Sequence, residues 1–133
     1  MDVALAVQQA VVVALRANGS FAAAATVWDR VPQGQAAPYV QIVSTTKQPW
    51  PAKRLGWEVT LTATVWTGTG SAQQALDIVA LMDAVLDDTS TLAPTGYAVV
   101  RCFNEFTDTI DRGEDGVTRG AAVRYRIWVQ TAP

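Results

Sequence analysis

Whether this chain can be an enzyme turns first on its acids, bases and nucleophiles. It has no histidine and one cysteine, Cys102. A serine or cysteine nucleophile ordinarily borrows an imidazole as its base, and the common zinc sites draw on His and Cys together. Both classes are excluded. Cys102 lies in the apolar run Val99-Val100-Arg101-Cys102-Phe103, where a thiol reads as a small buried hydrophobe. A lone cysteine also forms no intrachain disulfide. Gly68-Thr69-Gly70 lacks the rest of either glycine-rich phosphate fingerprint, and a strand-to-helix turn explains it. Asp108, Asp111, Glu114 and Asp115 bring four carboxylates close in sequence. Their spacing is not that of a twelve-residue calcium loop, and acid–base work needs a pocket that a hairpin tip does not supply. No catalytic residue, metal ligand or cofactor site is expected.

What remains is the chemistry of contact. Residues 44–54 carry Lys47, Lys53 and Arg54 and no acid, while residues 105–115 carry five acids against Arg112. Two readings stand: ordinary surface charge, or a head-to-tail contact in which the basic segment of one copy meets the acidic segment of the next. Trp50 sits between Pro49 and Pro51. It is either a stiffened interface anchor or a ring folded back on its own domain. The candidate interface between copies or with a partner is therefore Lys47, Trp50, Lys53, Arg54, Asp108, Asp111, Glu114 and Asp115.

These residues must be held by elements that the pattern of apolar positions reveals. Val3, Val7, Ala10, Val11, Ala14 and Leu15 recur at helical steps, so residues 3–17 read as a helix capped by Asp2 and stopped at Asn18-Gly19. Residues 20–25 are a small-residue connection with room for one more helical turn. Val27-Trp28 is a short strand, Pro32-Gln33-Gly34 a turn, and residues 39–43 a second strand. Residues 44–54 read as a loop. Residues 56–66 alternate strictly, with Trp57, Val59, Leu61, Ala63 and Val65 on one side. Ser71 with Gln74 reads as a capping box for a second helix to Asp87, its apolar face Leu76, Val79, Ala80, Met82 and Leu86, widened by Ile78, Leu81 and Val85. Residues 97–106 and 121–129 are strands of a hairpin whose long tip, 107–119, is expected to be mobile in a free subunit. Trp66 and Trp128 fall on nominally polar strand sides, which suggests a partly covered second face or a stacked surface shared with Arg124 and Arg126.

The expected fold is α+β: an antiparallel (mixed) sheet with two helices on one face. At 133 residues the chain reads as a single domain, 1–133. Net charge is −2, no match for nucleic acid as a whole. The N-terminus lacks the basic start of a signal peptide and no stretch approaches a membrane span, so a soluble protein working where it is made is expected.

The layout from residue 1 to about 88 resembles the tail completion, or tail terminator, proteins of long-tailed phages and phage-derived gene transfer agents. The residues that carry it are the opening helix, Val27-Trp28-Asp29-Arg30-Val31-Pro32-Gln33-Gly34, Pro38-Tyr39-Val40, the stretch from Trp50 to Lys53, the strand from Glu58 to Trp66, and the helix after it. The resemblance implies a structural virion protein with no catalytic residues. Its copies would form a ring, usually a hexamer, on the last disc of the tail tube at the head-proximal end of the virion. That ring ends tube polymerisation and presents a surface to the head–neck connector proteins. Its partners would be itself, the tail tube protein and those connectors, with DNA only as cargo through the bore and assembly in the bacterial host cytoplasm. A head–tail adaptor and a monomeric ligand-binding domain are the alternatives.

Overall fold

The computed structural model describes residues 1–50, 56–68, 72–87, 92–112 and 118–132. Helix α1 (Val3–Ala17) starts where Asp2 accepts the amides of Ala4 and Leu5. Asn18 ends it and at once caps a short second helix, α2 (Gly19–Ala24), by accepting the Phe21 amide at 2.9 Å. Strands β1 (Thr26–Trp28), β2 (Tyr39–Pro49) and β3 (Trp57–Gly68) follow, then α3 (Ala72–Leu86), β4 (Tyr97–Arg112) and β5 (Thr118–Thr131). The five strands form one sheet in the order β1-β2-β3-β5-β4. β1 runs parallel to β2; every other neighbour is antiparallel. The sheet is thus mixed, and the α+β expectation holds.

The helices share one face of the sheet. α1 buries Val3, Val7, Val11 and Leu15, and Gln8 receives the Thr45 hydroxyl of β2 at 2.8 Å. α3 buries Ala75, Ile78, Val79, Met82, Val85 and Leu86. Against them lie Val59, Leu61, Ala63 and Val65 of β3 and Val123, Tyr125, Ile127 and Val129 of β5, in one continuous core. Burial of this many fully enclosed side chains at roughly 1.5–3 kcal/mol each is what holds valine-rich helices that have little intrinsic propensity.

Four expectations are corrected. There are three helices rather than two, because Phe21 is fully buried and draws residues 19–24 into a turn of helix over the core. The apolar face of α3 is shifted: Leu76 is 42 % exposed and Ala80 also faces outward, Ala75 is buried instead, and Ile78 and Val85 are buried as expected. Residues 44–49 are not loop but the second half of β2, paired with β3 as far as Pro49 and Trp57. β4 does not stop at Phe106 but continues to Arg112, opposite Thr118, so the hairpin tip is short. Both segments are polar and lack the alternation of apolar residues that marks a half-buried strand; their pairing is imposed by the strand beside them. Ser71, expected to cap α3, and the rest of the tip, residues 113–117, lie outside the described residues.

Among the described residues no helix is long and apolar enough to cross a membrane, and no group of His, Cys, Asp and Glu is arranged to hold a metal ion.

Candidate functional site

With all helices on one side, no element among the described residues covers the other face of the sheet. Strand alternation and register decide what stands there. β2 contributes Gln41, Ser44, Thr46 and Gln48; β3 opposes them with Thr64, Thr62, Thr60 and Glu58. β5 adds Ala122, Arg124, Arg126 and Trp128, and β4 adds Asp108, Phe106, Phe103 and Arg101. The middle of the face is a hydroxyl-rich patch, and its two ends are aromatic.

At one end Trp66 stands opposite Gly120. A side chain at Gly120 would run into the Val65 carbonyl and meet the Trp66 ring at 3.2 Å, so only glycine lets that indole lie across β5. At the other end Trp50 is half-buried. Its indole N–H donates to the Trp57 carbonyl at 2.9 Å, and its ring meets Trp128 edge-on with centroids 6.5 Å apart. Trp128 in turn meets Phe103 edge-on at 6.3 Å. Such edge contacts contribute about 0.5–1.5 kcal/mol each beyond burial. Of the two readings of Trp50, the structure shows the folded-back ring, and one that remains partly open to solvent. Arginines flank the cluster, but they stack on phenylalanines rather than on Trp128. Arg101 lies 4.5 Å over Phe103 and Arg124 lies 5.5 Å over Phe106.

Beside the aromatics, Arg126 reaches Glu58 at 2.8 Å and Glu105 at 2.5 Å. Glu58 is only 8 % exposed although it sits on the helix-free face, because Arg126 and the rings around it shield it. The Arg126 Nε and the Trp128 indole nitrogen are buried without a hydrogen-bond partner. Alternation placed Glu58 and Arg126 on polar strand sides; which strands lie side by side, and hence that these charges meet, is a matter of topology that the sequence pattern does not carry.

Lys47 points to the helix side. Its ammonium pairs with Asp2 and lies 5.2 Å over the Trp57 ring. The hydrogen bond from Lys47 is the main cause holding the Asp2 carboxyl below its ordinary range, with the Leu5 amide next. Asp108 is exposed on β4, and Asp111 sits further along that strand, opposite Arg119. Lys47 and Asp108 are therefore separated by β3 and β5 and do not meet within one chain. Lys53, Arg54, Glu114 and Asp115 lie outside the described residues.

On the core side, the Tyr125 hydroxyl donates to Asp83 at 2.6 Å, and Asn104 donates its side-chain amide to the same carboxylate at 3.0 Å. The Asn104 backbone amide donates to Asp87 at 2.8 Å. Burial, then the Asp83 hydrogen bond, pushes the Tyr125 phenol up. Cys102 is fully buried; burial first, then Asp87 and Asp83, pushes its thiol up to about 12, the opposite of an activated nucleophile. The groove beside α1, about 300 Å³, is lined by Gln8, Gln9, Val12, Val13, Arg16 and Asp29 and holds no nucleophile. Among the described residues the geometry offers contact surfaces.

Comparison with known proteins agrees with that character. No curated protein matches the sequence. A chain in a solved structure described as the virion of a native gene transfer agent particle superposes with a TM-score of 0.82 at 22 % identity, over 96 % of this chain and 97 % of that one. The family of the tail completion protein gp17 matches residues 9–130. With nearly its whole length matched, the chain belongs to the tail completion protein gp17 family.

Proposed function

We propose that this chain is a structural, non-catalytic component of a phage-like tail, and that its copies form a ring, six by the resemblance, at the head-proximal end of the tail tube. The ring ends tube polymerisation and joins the tail to the neck, and DNA passes through its bore. The observation that carries this reading is the helix-free sheet face in a chain of the tail completion family. A face built of Trp50, Trp128, Phe103 and Phe106 with partly paired arginines has the composition of an interface core and rim. A reaction centre needs a converging nucleophile, base and pocket, and the face described above is not arranged in that way.

Lys47, Trp50, Lys53, Arg54, Asp108, Asp111, Glu114 and Asp115 are proposed as contacts between copies or with the tube. Truncating a hot-spot tryptophan costs about 2 kcal/mol or more of binding, whereas rim charges mainly set approach and register. Trp50→Ala is expected to weaken assembly at every salt concentration. Lys53→Glu with Arg54→Glu is expected to weaken it most at low salt, where screening is least. Sedimentation of the ring, or of subunits on tail tubes, reads the effect, with circular dichroism as the folding control. Parent-like assembly of both variants at low and high salt would remove these residues from the interface. Rings that bind isolated necks but never tube ends would make the protein a head–tail adaptor.

A further inference from the structure

The two oppositely charged segments turn out to be edge strands on opposite sides of one sheet. β1 pairs only with Tyr39, Val40 and Gln41 of β2. Beyond a bulge at Val43, residues 44–49 have β3 on one side and, among the described residues, no strand on the other. β4 is the opposite edge and pairs only with β5. Bulges interrupt it between Val99 and Arg101 and between Asn104 and Phe106, which leaves 106–112 as its longest regular run. An unpaired edge is a template for another strand, and natural proteins usually blunt it.

Resting on the ring reading above, we propose that copies join edge to edge: residues 44–49 of β2 in one copy pair antiparallel with residues 106–112 of β4 in the next, making the sheet continuous between subunits. Direction permits it. β2 and β5 run one way, β3 and β4 the other. A rotation about an axis lying roughly along the strands leaves those directions unchanged, so the next copy's β4 meets β2 antiparallel, the more favourable ladder. Such a contact is head-to-tail and closes when the rotation closes. Length permits it, since the two regular runs differ by one residue.

Charge favours a second copy as the occupant. Residues 44–49 hold Lys47 and no acid, while residues 106–112 hold Asp108 and Asp111 against the single base Arg112. Exposed apolar side chains point the same way. Val43 is 56 % exposed at the β2 bulge, and Val100 and Phe106 are 51 % and 47 % exposed on β4. Pro49, which has no amide to donate, closes the end of the β2 run.

Amide hydrogen exchange on the unmodified chain tests this, comparing free subunit with assembled ring. Amides in both 44–49 and 106–112 are expected to slow together by at least tenfold on assembly. Disulfide trapping gives the pairing. Thr46→Cys combined with Phe106→Cys or with Asp108→Cys places cysteines on the same sheet face of both edges, within the Cβ distance of cross-strand neighbours. Oxidised rings of a double variant are expected to run as a ladder of covalent multimers, and a mixture of the two single variants as dimers only. Cys102, enclosed in the core, stays out of the exchange. Rings that form while both segments exchange as fast as in the subunit would overturn edge pairing and leave the ring reading intact. Subunits that stay monomeric in solution and on tail tubes would overturn both.

Discussion

Cys102 and Tyr125 show how the core handles its reactive groups. Both are weak acids whose neutral form is favoured by burial, with Asp83 and Asp87 nearby adding to the effect. The unfolded thiol ionises near pH 9.0, the folded one at about 12. Below the lower value both states hold the proton and the stabilisation is complete. As pH climbs through that window the unfolded chain loses protons first, and stability falls. The urea midpoint is expected to be flat near neutrality and to drop above pH 9.0, less steeply in Cys102→Ala. Equal slopes in parent and variant would show that the thiol contributes nothing to the alkaline limb. Asp83 carries a larger burden, since it accepts from both Tyr125 and Asn104. Asp83→Ala leaves a buried phenol without its acceptor, which costs about 1–3 kcal/mol, readable as a lowered urea midpoint at pH 7. Tyr125→Phe in the same background is expected to recover part of that loss. The buried, unreactive state of Cys102 was legible in its apolar neighbours. The partnership of Asp83 with Tyr125 was not, because it joins a helix to a strand across forty residues of chain.

At the scale of elements, legibility followed amphipathicity. α1 and β3 each bury one clean face, and their existence and inward residues were readable from periodicity alone. The second half of β2 and the outer end of β4 were not, since Ser44, Thr46 and Gln48, or Thr107 and Asp108, carry no burial signal. Their strand state comes from a ladder to a neighbour, and a ladder is invisible to a window of sequence. The interface residues divide the same way. The opposite charge of the two segments was plain in the composition, whereas their placement on opposite edges of one sheet depended on the strand order. Gly120 tests how finely the elements fit. Gly120→Ala forces a methyl group against the Val65 carbonyl and the Trp66 ring, and overpacking of this kind costs about 1–3 kcal/mol. Thermal unfolding of the variant reads it; an unchanged midpoint would mean that the β3–β5 ladder is looser than described.

For the whole molecule, one face of the sheet is spent on folding, and the other is the one proposed to meet neighbours. Helices and core occupy the first. The second carries aromatic ends, a threonine middle, and Arg126 already held by Glu58 and Glu105. Net charge of −2 leaves no broad attraction for DNA, which suits the proposed ring, through whose bore DNA would only pass. The last strand of the chain, β5, lies between β3 and β4 in the middle of this sheet. A growing polypeptide can form α1, the β2–β3 pair and α3, yet its sheet has no centre until β5 has left the ribosome. Contacts so distant in sequence form late. A message cut short before Thr118 would therefore yield a β1-β2-β3 sheet and a β4 without its ladder partner. Translation itself becomes the checkpoint: only a chain that includes β5 carries both edges on one sheet, so one that stops short lacks the proposed edge-to-edge contact.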